Sequence, residues 1–145
     1  MTESTRTWVV VGDASGAQVF AYVDKADAWE PLQHVKADGT GADETRDFGP
    51  KASEHKGALH GHGHVTPKET KERHLAHAVC HALERGLADH AFHQLVLVAP
   101  PKFLGELREN LSRGLKEKVV TEVHKDYAHL PVRDLAELLR PELPV

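Results

Sequence analysis

The sequence predicts a single α/β domain. Its expected core is a mixed β-sheet, antiparallel in its first half and parallel in its second, covered by helices. Three observations carry this. The 145 residues match the size of one domain, and an apolar share of 40% is enough for a core. Short β-branched runs broken by turn residues fill the chain up to Lys36, as in hairpins. From Pro67 onward, helical and strand periodicities alternate, which requires crossovers and parallel strands.

Taken in order, Thr7 to Val11 is a short buried strand closed by Gly12-Asp13. Ser15-Gly16 is a turn signal, and Ala17 to Val23 returns as the second strand of a hairpin. Trp29 to Val35 is a third strand; its alternation is imperfect, and Pro31 places it at a sheet edge. Order resumes at Thr66-Pro67-Lys68-Glu69, an N-cap, a first-turn proline and a capping glutamate, opening a helix that runs to about Asp89. Leu75, Val79, Ala82, Leu83 and Leu87 form its apolar stripe. Phe92 to Ala99 is the clearest buried strand. Pro100-Pro101 opens a helix carrying Phe103, Leu104, Leu107 and Leu111 and stopping near Gly114. Val119 to Val123 is a strand, and Pro131 starts a short helix with Leu135, Leu138 and Leu139 on one face.

Composition excludes several classes. A net charge of −4 argues against sequence-blind nucleic-acid binding over the whole surface. The single cysteine, Cys80, cannot form an internal disulfide; on the inner-to-lateral side of a helix it reads as a structural thiol. No apolar run is long enough to span a bilayer, and Trp8 to Val11 is too short for a signal-peptide core. The expectation is a cytoplasmic protein without membrane insertion. An exposed edge at the Pro31 strand permits dimerisation without requiring it, so the oligomeric state stays open.

Between the third strand and the first long helix, residues 37–67 lose all periodicity. They carry Gly39, Gly41, Gly49, Gly57, Gly61 and Gly63. A stretch this long without structure inside a small domain usually serves function. Its sharpest feature is His60-Gly61-His62-Gly63-His64. In an extended backbone, alternate imidazoles share one side, and neutral imidazole suits zinc, nickel or copper. The competing reading is a His-rich surface loop that requires no cofactor, since no carboxylate or thiolate stands at an established ligand spacing. His74, His77 and His81 share the outer face of the long helix and read as a solvated polar face.

Local charge points another way. Lys51, Lys56, Lys68, Lys71 and Arg73 stand against Glu54, Glu69 and Glu72, a net excess of two positive charges in an acidic protein. A helix start adds N–H donors and partial positive charge, so this flank suits a phosphate-rich partner, although an ordinary solvated charge mixture reads the same way. No nucleophile–base set, Walker loop or dinucleotide fingerprint is present.

Trp8-Val9-Val10-Val11-Gly12-Asp13, followed by Ala17-Gln18-Val19-Phe20, resembles the bacterial host attachment protein family. So does Leu95-Val96-Leu97-Val98-Ala99-Pro100-Pro101-Lys102-Phe103-Leu104-Gly105-Glu106-Leu107-Arg108, and Val119, Lys125-Asp126 and Leu130-Pro131 fit the family's closing segment. That family is similar to the middle domain of archaeal and eukaryotic class-I peptide-chain release factors. The resemblance implies a release-factor middle-domain-like fold. In those factors the loop before the long helix carries the Gly-Gly-Gln that hydrolyses peptidyl-tRNA on the ribosome. Here the loop has no Gly-Gly pair and no glutamine between Gln33 and Gln94, so that hydrolysis does not carry over. The expected function is a non-enzymatic, release-factor-like domain that binds ribosome or structured RNA through the 37–67 loop and the flank of Lys51, Lys56, Lys68, Lys71 and Arg73. One alternative is a metal- or pH-responsive binding protein using His60, His62 and His64. A second is a protein needed, indirectly, for attachment to host cells. A hydrolase using a loop histidine as general base is a further alternative.

Overall fold

The fold is taken from a computed structural model that describes residues 5–23, 29–36 and 67–143, with backbone only for 67–69. The β-branched run after Thr5 forms β1 (Arg6–Asp13). A two-residue turn at Ala14-Ser15 returns the chain as β2 (Gly16–Val23), antiparallel, with Asp13 opposite Gly16 and Arg6 opposite Val23. The third strand, β3 (Glu30–Lys36), pairs antiparallel with β2 at one edge of the sheet, as its proline required. Its imperfect alternation has a physical cause. Val19 faces Gln33 while Phe20 faces Pro31, so Leu32 is an extra, bulged residue that resets the side-chain period.

The long helix, α1 (Pro67–Ala88), leads into β4 (Gln94–Val98), which lies parallel to β1 on its other side. Helices α2 (Pro101–Asn110) and α3 (Arg113–Lys118) follow. Strand β5 (Val119–Val123) is parallel to β4, then come α4 (Val132–Leu139) and a 3₁₀ turn at Arg140–Glu142. The sheet order is β3-β2-β1-β4-β5. The mixed sheet is thus antiparallel in the first half and parallel in the second, as the element order implied.

The sheet is covered on both faces. One face gathers Val10, Ala17, Val19, Leu95 and Leu97 under α1, α2 and α3. The other gathers Val9, Val11, Phe20, Val96 and Val98 under Leu135 and Leu139 of α4. Central strands buried on both sides become unbroken apolar runs, which is why Val9-Val10-Val11 and Leu95 to Val98 carry no polar residue.

Two expectations need correction. The helix from Pro101 does not continue to Gly114. It ends at Asn110, Leu111 turns extended, and Ser112 caps α3 by accepting a hydrogen bond from the Leu115 backbone N–H at 3.2 Å. Gly114 lies inside α3, where an added Cβ would stand 3.2 Å from Leu87 Cδ2. In α4, Leu138 is 49% exposed while Leu135 and Leu139 are buried, because neighbouring helical positions differ by about 100°. Cys80 is buried as expected. Its thiol faces the Leu107 carbonyl at 3.7 Å, and burial pushes its pKa up to about 12.

At the far end of α1, the Ala91 N–H donates to the Gly86 carbonyl and the His90 N–H to the Leu87 carbonyl, with His90 at φ 55°. This is a Schellman stop whose left-handed position is filled by histidine. Gly86 touches the aromatic pair of Trp8 and Phe92, whose centroids lie 4.7 Å apart; an added Cβ would stand 2.5 Å from Trp8 Cη2. Gly86→Ala is therefore expected to destabilise the fold by about 1–3 kcal/mol in urea unfolding, and an unchanged midpoint would contradict this packing. His90→Gly should act in the opposite sense, by up to about 1 kcal/mol.

Arg108 of α2 clamps the β5 edge. Its Nε donates to Glu122 Oε1 and Oε2 at 3.1 and 3.2 Å, and its Nη2 also donates to Oε1. These hydrogen bonds hold the Glu122 carboxyl below the usual carboxylate range, against a smaller upward push from burial. A depressed folded pKa contributes stability that is present above the unfolded value and lost as pH falls through the folded one. The stability gap between wild type and Arg108→Ala should therefore be present at neutral pH and close on acidification below about pH 4. A gap independent of pH would rule out the pair as its source.

Candidate functional site: the carboxyl edge of the sheet

The topology brings many chain ends to one edge. Parallel strands β1, β4 and β5 all finish there. The Ala14-Ser15 turn lies at that edge, and so does Lys36, the last residue of β3, which pairs with Gly16. Helix α2 starts there directly after β4. Helix α1 starts there too, since Glu72 near its beginning sits against Lys102 of α2, while Gly86 near its end reaches Trp8 and Phe92 at the opposite edge. The two flanks of the His- and Gly-rich segment, Lys36 and Pro67, are thus set at the carboxyl edge. In open α/β sheets this is the edge where ligands bind.

Gly12 permits the close approach that builds this edge. A Cβ on it would lie 2.7 Å from the Ala17 Cβ and 3.1 Å from Phe103 Cε2. The hairpin and the start of α2 are therefore in direct contact.

On the α4 face, the edge opens into a cleft of about 280 Å³. Asp13, Ser15, Gln18, His34 and Lys36 line it from the sheet, and His129 lines it from the segment after β5. Strand register explains the set: Gln18 pairs with His34 and Gly16 with Lys36, so their side chains share a face. Asp13 Oδ1 accepts hydrogen bonds from the Ser15 N–H at 2.9 Å and the Ser15 hydroxyl at 2.7 Å, fixing the turn. An added Cβ on Gly16 would stand 3.5 Å from His34 Nε2, so the imidazole reaches over the turn.

The basic flank lies on the other face, at the helix starts. Lys71 and Arg73 are exposed, and Arg73 Nε is 3.9 Å from Glu106 Oε2. Glu72 is not the solvated charge the local charge count assumed. Its side chain is 5% exposed and its Oε1 is 3.8 Å from Lys102 Nζ, accepting no hydrogen bond from a described residue. The reason is helical phase: Glu72 falls on the stripe of Leu75, Ala76 and Val79. Lys51, Lys56, His60, His62 and His64 lie outside the described residues, as does the side chain of Lys68. His74, His77 and His81 are exposed, as expected for a solvated face.

Sequence reasoning did not single out the cleft residues. The Asp-x-Ser turn after a strand and the period-two spacing of His34 and Lys36 are visible signals. His129 has none, because it lies in an irregular segment. Among the described residues no helix is long and apolar enough to cross a membrane.

Fold and edge together define an α/β domain with helices on both sheet faces and a polar, cation-bearing carboxyl edge. The chain belongs to the family described as protein required for attachment to host cells, whose model matches residues 8–139. No curated protein matches the chain.

The Asp13 clasp sets the geometry of the turn. Asp13→Ala should cost about 0.5–1.5 kcal/mol of stability for the lost hydrogen bonds. It should also broaden the Ser15 and Gly16 amide resonances, while unchanged resonances would show that the turn holds without it.

Proposed function

We propose that this chain is a non-enzymatic, release-factor-like binding domain that takes ribosomal or other structured RNA on the carboxyl edge of its sheet, and that the family's attachment role is reached indirectly through this binding. The observation that carries the reading is the convergence at one edge of the starts of α1 and α2, with Lys68 in the first turn of α1 and Lys71 and Arg73 exposed, and of both flanks of the segment whose sequence contains Lys51 and Lys56. Helix starts present N–H donors to phosphate, and lysine and arginine supply the matching charge. Of the nearby carboxylates, Glu72 lies against Lys102, and the Arg73–Glu106 contact is long and partly exposed, so it holds Arg73 only weakly in water. The segment's position before the long helix is also the position of the catalytic loop in the release factors that the family resembles.

Co-sedimentation with ribosomes at low and moderate salt tests this. Association should fall steeply with salt, and Lys56→Ala/Lys68→Ala/Lys71→Ala/Arg73→Ala should weaken it at least about tenfold and flatten the salt dependence. Equal association of the variant, or none by the wild type at low salt, would overturn the reading.

A further inference from the structure

The cleft on the α4 face is separate from the basic flank, which lies on the α1 face of the same sheet. Its lining is chemically mixed in a particular way. Lys36, His34 and His129 offer N–H donors, with a full positive charge from Lys36. Gln18 offers a donor and an acceptor. Asp13 has one oxygen committed to Ser15, while Oδ2 accepts no hydrogen bond from a described residue and can accept from a ligand. Asp13, His34 and His129 do not group as a metal-ligand set. A group with concentrated negative charge suits the donors, and hydroxyls beside it suit Asp13 and Gln18. The volume of about 280 Å³ lies near the lower end of small-molecule sites, which limits the ligand to a small one.

We propose that the cleft formed by the Asp13–Ser15 turn, Gln18, His34, Lys36 and His129 is a binding site for a small hydroxylated phosphate ester, a sugar phosphate in chemical class. The phosphate sits between Lys36 and the two imidazoles, and the hydroxyls face Asp13 and Gln18. The site does not depend on RNA binding at the helix starts.

Isothermal titration of the intact chain with ribose 5-phosphate, inorganic phosphate and ribose tests the assignment. Ribose 5-phosphate should bind saturably and more tightly than either fragment. Lys36→Ala should weaken it about tenfold, Lys36→Arg should retain most of the affinity, and Asp13→Asn should narrow the preference for the ester over inorganic phosphate. No saturation by about 10 mM would overturn the proposal. So would inorganic phosphate binding as tightly as the ester, or full affinity in Lys36→Ala/His129→Ala. The latter two residues are exposed, so the double variant should keep the wild-type circular dichroism spectrum.

Discussion

The parallel ladder between β1 and β4 joins residues 87 positions apart in the chain, Thr7 to Gln94 at its start and Val11 to Val98 at its end. Long-range pairing of this kind carries a loop-closure cost that only extensive burial offsets. The ladder meets that demand on both faces, with Val9, Val10, Leu95, Val96, Leu97 and Val98 fully enclosed. Its entry is fixed by further bonds: the Thr7 hydroxyl donates to Gln94 Oε1, the Arg6 N–H to His93 Nδ1, and the His93 N–H to the Arg6 carbonyl.

Given that ladder, the rest of the architecture follows. A parallel neighbour for β1 requires the chain to return from one edge of the sheet to the other, and α1 makes that return with its apolar stripe against the sheet. Since β3 ends where α1 must begin, the segment between them is anchored at the carboxyl edge. Helix α2, leaving β4 at the same edge, packs its start against the start of α1 through Lys102 and Glu72. Cations, helix starts and the polar turn are gathered by chain topology, not by sequence proximity.

Much of this was legible in the residues. The apolar runs at Trp8–Val11 and Leu95–Val98, the Ser15-Gly16 turn, Pro31 at the edge and Pro67 at the helix start each placed an element correctly, because local preference and tertiary burial agree there. The break at Leu111-Ser112 was missed because a run of apolar residues at helical spacing masked a serine cap. Leu138 was misplaced because neighbouring leucines look alike on a short helix. The Arg73–Glu106 contact depends on how α1 lies on α2, which no single segment encodes, whereas the burial of Glu72 was legible in its helical phase with Leu75 and Val79 and was missed because a local charge count ignores phase. The cleft was invisible for the same reason: His34 and Lys36 meet Asp13 and His129 only after three strands pair and the chain returns from β5.

The proposed binding edge is the carboxyl edge of the sheet. Backbone hydrogen exchange of the chain with and without bound structured RNA tests it most directly. New protection is expected in the first two turns of α1 and at the start of α2. Protection concentrated instead at the opposite edge, around Val23, Glu30 and His90 to His93, would contradict it.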